Sequence, residues 1–367
     1  MTSAPDRDHE PTEPHVCVLA CGGTIASEPD ADGAAPAKTG DDLVAAVPGV
    51  EAHATVSTRE ICSQPGFDVR WRDVFATAAA AIAEVNGGAD GVVVTHGTDT
   101  LVDTAYALDL LTDLPVPVVV TGAQRRLDEP SSDAPANLTL AVRAAADERF
   151  SAGVHVAFDD ELHAARDAIK AHSNALSTIR SPASGPVATF TRHGSRVLRE
   201  PSRGVATDPL AEPVGLIAAA DSAGSAADGS PASLDLATAA SRVPDVPVVH
   251  SGTGAGAGPI ERSSNAGVGG LVIEGTGLGN VTAAIGDAIR EAVASVPIVV
   301  AGRPPAGPTE PVYGTSGGAV TLAEHGVVFA ADLSAAKARV GLAIGLAAGL
   351  DEGQLVRLFE QGPPRRS

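Results

Sequence analysis

The stretch VVVTHGTDTLVDT, residues 92–104, joins a run of three valines to a cluster of polar side chains. Consecutive valines are typical of a strand that is buried on both faces of a sheet. Apolar residues at helical spacing follow over residues 101–111, so the polar cluster lies between a strand and a helix. In open parallel sheets, ligands bind where strands end and helices begin. The stretch therefore predicts both a class of fold and the position of a site.

The same alternation of strand and helix runs along most of the chain. Short apolar runs predict strands near residues 15–20, 91–94, 115–123, 153–158, 246–252, 269–275 and 296–302. Helical patterns occur near residues 76–85, 101–111, 137–146, 281–294 and 335–350. This rhythm predicts an α/β fold with a parallel sheet that helices cover on both faces.

A chain of 367 residues is long enough for two domains. We predict a larger N-terminal α/β domain with a parallel sheet over residues 15–205 and a smaller C-terminal α/β domain over 246–367. Residues 1–14 are polar and proline-rich, which favours a disordered tail. Residues 206–245 are rich in Pro, Ser, Gly and Asp, which is typical of a linker or surface insertion.

The charge balance is strongly acidic, with 45 acidic and 25 basic residues and a net charge of −20. Such a surface repels nucleic acid. Only Lys38, Lys170 and Lys337 are lysines, and the other 22 basic residues are arginines. This pattern is typical of a halophilic protein, because a salt-rich cytosol screens the repulsion between carboxylates. An acidic protein from a GC-rich genome is the alternative.

Membrane spans, secretion and metal binding find no support in the sequence. No apolar stretch is long enough to cross a bilayer, and the N-terminus lacks the apolar core of a signal peptide. We therefore expect a soluble, cytoplasmic protein without a membrane partner. The three cysteines form neither a disulfide framework nor a zinc motif. We predict no metal site.

Two strand ends in the N-terminal domain carry matched polar sequences, CGGTIAS (21–27) and THGTDT (95–100). Alone, Thr98-Asp99-Thr100 could be only a helix cap. Together, and in this order, the two segments resemble the signature motifs of the bacterial-type L-asparaginases, an amidohydrolase family. With the acidic, lysine-poor composition, the resemblance predicts a haloarchaeal member of that family. The resemblance continues through VTGAQR (120–125), PANLTLAVRAA (135–145), RDAIKAHS (166–173), GLVIEGTGLGNV (270–281) and KARVGLAIGLA (337–347).

The resemblance implies hydrolysis of the side-chain amide of L-asparagine to L-aspartate and ammonia, without a cofactor. Thr24 would attack the amide, and Thr98, Lys170 and Asp99 would form a proton relay; which threonine attacks first stays open. Lys170 offers an independent argument, because arginine cannot act as a base and this arginine-rich chain keeps a lysine there. The alternative is that a lysine stands at this position by chance, since the chain also keeps Lys38 and Lys337. His96 is interpreted as a structural residue of the turn.

Substrate binding and assembly are implied in the same way. Ser63, Gln64, Asp99 and Ala123 match the segments that bind the substrate in the family. The resemblance also implies a homodimer or homotetramer with active sites at the subunit interface. Which residues cross that interface, and whether asparagine or glutamine is preferred, stays open.

The segment 27–42 corresponds to a mobile lid that carries a tyrosine in many members of the family. Here the segment contains no tyrosine, and the only two tyrosines are Tyr106 and Tyr313. Three alternatives follow: a hydroxyl such as that of Thr39 helps, Tyr313 substitutes, or turnover is slow.

Two other functions remain as alternatives. One is an amino-acid-binding or sensory protein that kept the fold without the chemistry. The other is the ammonia-releasing subunit of a tRNA-dependent amidotransferase, which carries an additional N-terminal domain. About 15 residues precede the first predicted strand here, which favours the asparaginase interpretation.

Overall fold

The computed structural model describes residues 13–31, 33–151, 153–200 and 240–360. The predicted tail (1–14) and the predicted insertion (206–245) therefore lie mostly outside the described residues, and the domain boundaries stay predictions. No helix among the described residues is long and apolar enough to cross a membrane.

Sixteen strands are present in the part of the chain that the structure describes. They are β1 (His15–Gly22), β2 (Ser27–Asp30), β3 (Gly33–Pro36), β4 (Thr55–Gln64), β5 (Gly91–Thr95), β6 (Val118–Thr121), β7 (Val154–Phe158), β8 (Glu161–Ala164), β9 (Ile169–Lys170), β10 (Ile179–Arg180), β11 (Ala188–Thr191), β12 (Gly194–Val197), β13 (Val248–His250), β14 (Leu271–Gly275), β15 (Ile298–Gly302) and β16 (Val328–Phe329). The α-helices of the same residues are α1 (Gly40–Ala45), α2 (Trp71–Asn86), α3 (Leu101–Leu111), α4 (Ala134–Ala145), α5 (Gly258–Asn265), α6 (Ala283–Ala292), α7 (Ala319–Glu324), α8 (Ala335–Ala347) and α9 (Glu352–Glu360).

The N-terminal domain contains an eight-stranded sheet in the order β12-β11-β8-β7-β6-β5-β1-β4. The five strands from β4 to β7 are parallel to their neighbours, as the strand-helix rhythm predicts. The remaining three strands are antiparallel, so the predicted parallel arrangement holds for five of the eight strands and the sheet as a whole is mixed. The reversal begins at Asp159 and Asp160, which both have positive φ. A two-residue turn of this kind joins antiparallel strands only.

Both faces of this sheet are buried, because alternate residues of each central strand enter different cores. Along β1, Cys17 and Leu19 face the core formed with α2 and α3, whereas Val16 and Val18 face the core formed with α4. The valines of β5 and β6 divide in the same way. Continuous apolar strands are what a sheet covered on both faces requires.

The C-terminal domain contains a four-stranded parallel sheet in the order β13-β14-β15-β16. Helices α5 and α6 cover one face, and α8 covers the other. Helix α8 also packs against α3, so one continuous apolar core joins the two domains. The α/β class and the pairing of a larger N-terminal with a smaller C-terminal domain are confirmed.

Candidate active site

Three loops meet at the carboxyl edge of the first sheet, and a glycine lies at each contact. Gly23 follows β1, Gly66 follows β4 and Gly97 follows β5. A Cβ atom on Gly23 would lie 2.3 Å from the Gly97 nitrogen, and one on Gly97 would lie 2.5 Å from the Gly66 Cα. Gly23 also has a φ of 81°, in the left-handed region that favours glycine. Only glycine allows the three strand ends to approach this closely.

Thr98, Asp99 and Lys170 form one hydrogen-bonded group at this edge. The Nζ atom of Lys170 donates to Thr98 Oγ1 at 2.9 Å and pairs with Asp99 Oδ1 at 2.7 Å. Thr98 is buried, whereas the side chain of Asp99 is 56% exposed. An amine that touches both a hydroxyl and a carboxylate can move a proton between them.

Thr24 begins a short 3₁₀ turn, Thr24–Ala26, directly after Gly23. The hydroxyl of Ser27 donates to the Gly23 carbonyl oxygen at 2.9 Å and closes this turn. Gly23 contacts Gly97, and Thr24 and Thr98 are the next residues in the chain after these glycines. The two threonines therefore lie on either side of the same backbone contact. Thr24 is only partly buried, in contrast to its buried neighbours Gly23 and Ile25.

His96 lies beside the threonines but is not available for chemistry. Its ring is buried, with Nδ1 2.9 Å from the Gly97 carbonyl oxygen and Nε2 3.0 Å from Thr104 Oγ1. Burial lowers the pKa of the ring below its ordinary value, which favours the neutral imidazole. The residue therefore fixes the turn, in agreement with its structural interpretation from the sequence.

The three remaining candidate residues lie at or just after the ends of β4 and β6. Gln64 pairs with Gly22 in the sheet, and its carbonyl oxygen accepts from Gly23 N at 2.9 Å. Ser63 precedes it and is exposed, with its hydroxyl donating to the Pro36 carbonyl oxygen at 3.2 Å. Ala123 is fully buried after β6, and its only polar groups are those of the main chain.

Family comparison gives a clear result for both domains. Residues 15–203 match "Asparaginase, N-terminal", and residues 245–359 match "Glutaminase/Asparaginase C-terminal domain". The chain belongs to the asparaginase family.

Relatives of this asparaginase-family chain carry two kinds of name. It is 33% identical to a probable periplasmic L-asparaginase of Haemophilus influenzae, over 95% of this chain and 93% of the relative. It is 30% identical to L-asparaginase 2 of Escherichia coli, with the same coverage of both chains. It is also 38% identical to a glutamyl-tRNA(Gln) amidotransferase subunit of Methanothermobacter thermautotrophicus, over 55% of this chain and 48% of the relative.

A solved structure agrees with this fold. The crystal structure of a probable cytoplasmic L-asparaginase from Campylobacter jejuni has a TM-score of 0.76 and 26% sequence identity to this chain. The likeness covers 95% of this asparaginase-family chain and 99% of the solved one. Both domains and their arrangement are therefore shared with that protein.

The lid segment of this family member forms a short hairpin. Strands β2 and β3 pair antiparallel, and Lys38 Nζ lies 2.5 Å from Glu28 Oε1. Thr39 caps α1, with its hydroxyl donating to Asp42 Oδ2 at 2.8 Å and accepting from Asp42 N at 3.2 Å. This capping box occupies the hydroxyl of Thr39, so it is a poor substitute for a lid tyrosine.

The two tyrosines have different surroundings. Tyr106 is buried on α3, and burial raises the pKa of its hydroxyl. It belongs to the core and is not part of the lid. Tyr313 is 57% exposed on the C-terminal domain, beside the equally exposed Val312.

Two supporting residues of the site were not predicted from the sequence. Asp133 accepts hydrogen bonds from the main-chain nitrogens of Gln124 and Arg125 and from Asn137 Nδ2, which fixes the loop after Ala123. Lys337 contacts the segment that leads to Lys170. The contacts of Asp133 depend on the geometry of a loop, and those of Lys337 join residues that are far apart in the sequence. Residue patterns detect neither kind of contact.

A cleft of about 370 Å³ extends from Asp99 and Lys170 between the two domains. Glu274 and Arg303 line its side on the C-terminal domain. Within the described residues, no group of three or more His, Cys, Asp or Glu side chains is arranged to hold a metal ion.

Proposed function

We propose that this chain hydrolyses the side-chain amide of L-asparagine to L-aspartate and ammonia. The observation that carries the proposal is the contact of Lys170 Nζ with both Thr98 Oγ1 and Asp99 Oδ1. An amine held between a hydroxyl and a carboxylate suits proton transfer in acyl chemistry, and a purely binding protein does not need it. The full-length relatives named L-asparaginase support the same activity.

The reaction proceeds through an acyl-enzyme. Thr24 Oγ1 adds to the amide carbon, and its proton passes to the relay formed by Thr98, Lys170 and Asp99. The C–N bond breaks as the nitrogen takes up a proton, and ammonia leaves. Water then adds to the ester, the Thr24 oxygen regains its proton and aspartate leaves. Thr24 is the better first nucleophile because it is more exposed than Thr98, which already accepts from Lys170.

Asparagine would be held by its α-amino and α-carboxylate groups. The exposed carboxylate of Asp99 is able to pair with the ammonium group. Ser63 and Gln64, at the end of β4, would bind the carboxylate, and the Ser63 hydroxyl would leave the Pro36 carbonyl oxygen to do so. Main-chain groups of Ala123 would contact the amide. Discrimination against glutamine depends on one methylene group, which is worth about 1–3 kcal/mol.

Assembly and environment are part of the same proposal. We expect a homodimer or homotetramer, in which another subunit covers the exposed Val312 and Tyr313. We also expect activity to increase with salt, because counter-ions screen the repulsion among 45 acidic residues. A cytoplasmic location remains a prediction, since one relative is named periplasmic and a solved neighbour cytoplasmic.

A second candidate is ammonia release for glutamyl-tRNA(Gln) amidation. It rests on the 38% identity to the Methanothermobacter amidotransferase subunit, of which this chain spans about half the length. The two functions share the amide chemistry but differ in substrate. An amidotransferase subunit should act on glutamine, and its rate should respond to the rest of its complex.

The test is ammonia release from asparagine and glutamine by the purified protein, from low salt to multimolar KCl. We expect rapid release from asparagine that rises with salt, and losses of about 10³-fold or more in Thr24→Ala and Thr98→Ala. Thr191→Ala, on the exposed end of β11, is the matched control and should retain full activity. Glutamine as the faster substrate would favour the amidotransferase function. No release by folded protein, with asparagine binding intact in Thr24→Ala, would favour a sensory protein.

A further inference from the structure

Lys337 is the least exposed of the lysines, although its amine is an ionisable group. Only 2% of the residue is exposed, in the first turn of α8. A cation there is disfavoured twice, by loss of water and by the positive end of the helix dipole. Burial lowers its pKa to about 7. A residue this costly to bury needs specific partners.

The partners of Lys337 are three main-chain carbonyl oxygens of the N-terminal domain. Its Nζ atom donates to Ala165 O at 2.6 Å, to Arg166 O at 2.7 Å and to Ala168 O at 2.5 Å. All three donors of an ammonium group are thus used. An arginine could not replace it, because a planar guanidinium does not match three carbonyls around one point. This geometry gives a reason why a chain with 22 arginines keeps a lysine here.

The three carbonyls belong to the segment that leads directly to Lys170. Residues 165–168 connect β8 to β9, and β9 consists only of Ile169 and Lys170. Strand β9 pairs with the equally short β10 and with no strand of the main sheet among the described residues. A two-residue ladder contributes little stability of its own. The position of Lys170 therefore depends on what holds residues 165–168.

A second contact across the domains acts on the same segment. Arg166 Nη2 lies 2.6 Å from Asp332 Oδ1, and Asp332 lies just before α8. Asp332 and Lys337 of the C-terminal domain thus both bind residues 165–168 of the N-terminal domain. Lys170 then reaches Thr98 and Asp99 on the other side.

We propose that Lys337 is a positioning residue, which holds the 165–168 segment so that Lys170 Nζ stays in contact with Thr98 and Asp99. The proposal rests on the role of Lys170 in the proposed function. It makes the rate of amide hydrolysis depend on the docking of α8 from the C-terminal domain. Substrate-binding groups lie on the other loops and are not touched by Lys337.

The test compares Lys337→Met and Lys337→Arg with the wild type in steady-state kinetics on asparagine. Methionine keeps the length of the side chain and removes all three donors, whereas arginine keeps the charge with the wrong geometry. We expect kcat to fall about 10- to 100-fold in both, because misplacing a reacting group by about 1 Å has this effect. KM should change less than about threefold. Arg290→Met, which removes an exposed positive charge from α6, is the control and should behave as wild type.

Hydrogen exchange gives a second readout that does not need activity. Peptides covering 165–170 should exchange faster in Lys337→Met, whereas those covering β14 should keep their protection. If the wild type releases no ammonia, the proposed function fails, and the exchange result alone decides whether Lys337 holds this segment. An unchanged kcat in an active protein, or unchanged exchange over 165–170, would overturn the proposal.

A milder variant covers the case in which Lys337→Met does not fold. Asp332→Asn weakens the adjacent contact with Arg166 and leaves Lys337 in place. A several-fold loss of kcat with KM unchanged would support positioning through this segment. Wild-type kinetics in that variant would count against it.

Discussion

At the carboxyl edge of the first sheet, Thr98 is 5% exposed, whereas at the same edge of the second sheet the side chain of His250 is 68% exposed. Both edges end parallel strands, and both carry polar side chains. At the second edge, His250 Nδ1 lies 2.8 Å from Glu274 Oε2, and Arg303 Nε lies 3.3 Å from the same oxygen. The first contact is a hydrogen bond and the second an ion pair, both at the surface, where such contacts stabilise proteins by about 0–1 kcal/mol.

The difference lies in a lysine that reaches a buried hydroxyl. Close backbone contacts occur at both edges: three loops meet at glycines at the first, and at the second a Cβ atom on Gly275 would lie 2.9 Å from the Gly279 carbonyl carbon. At the first edge, however, Lys170 from β9 donates to the buried hydroxyl of Thr98. Polar strand ends and close packing are therefore common to both sheets, whereas this lysine contact belongs to the first.

The largest effect should come from removing the amine of Lys170. Lys170→Met leaves Thr98 without its donor and Asp99 without its cation, so we expect kcat to fall about 10³-fold or more. Lys170→Arg should rescue little, because a guanidinium stays charged and cannot pass on a proton. The measurement is steady-state ammonia release. A variant with more than about a tenth of the wild-type kcat would remove Lys170 from the relay.

Only part of this site could be predicted from the sequence. The strand ends that hold Thr24 and Thr98 stand out because apolar runs stop there in polar residues and glycines. Lys170 is identified by resemblance and by its rarity in an arginine-rich chain, since its contact with Thr98 spans 72 residues. The role of Lys337 could not be predicted, because the apolar sequence around it is typical of an ordinary buried helix.

The fold shows the same division between repeating patterns and local geometry. The central parallel strands follow from runs such as the valines of β5, which periodicity detects. The antiparallel strands β8, β11 and β12 depend on a turn at Asp159 and Asp160, whose left-handed conformation residue type alone does not specify. The lid hairpin is hard to predict for a similar reason, because its strands are short, exposed and lack alternation.

Acidification should destabilise the folded chain through the buried imidazole of His155 in the first sheet. Burial lowers the pKa of His155 from 6.5 to about 4, and both ring nitrogens lack hydrogen-bond partners among the described residues. Below pH 6.5 His155 binds a proton in the unfolded chain but stays neutral in the folded chain. The free energy of unfolding therefore falls as the pH drops from 6.5 to 4. The loss should be about 3 kcal/mol in the free energy of unfolding.

Chemical denaturation at pH 6.5 and pH 4.5 checks this expectation. His155→Leu should lose less free energy of unfolding than the wild type over that interval. Equal losses in the two proteins would show that the burial of His155 does not govern acid stability.

Adding a methyl group should lower activity at Gly97 in the first edge but not at Gly302 in the second. Gly97→Ala places a Cβ atom 2.5 Å from the Gly66 Cα and 3.2 Å from the Gly23 Cα, so it must shift the loop that carries Thr98. We expect kcat to fall about 10- to 100-fold, because the reacting groups move apart. Gly302→Ala, at the end of β15, makes only ordinary van der Waals contacts and should keep wild-type kinetics. Equal effects of the two substitutions would mean that the close contact at Gly97 does not position the reacting groups.

The smallest effect is expected at the second edge itself. His250→Ala and Glu274→Gln each remove one partner of an exposed pair, so the free energy of unfolding should change by less than about 1 kcal/mol. If this edge serves no chemistry, kcat should stay within about threefold of wild type. A loss larger than about tenfold with stability intact would reverse the comparison. Because Glu274 lines the cleft that extends from Asp99 and Lys170, such a loss would mean that the second edge contributes to the same active site.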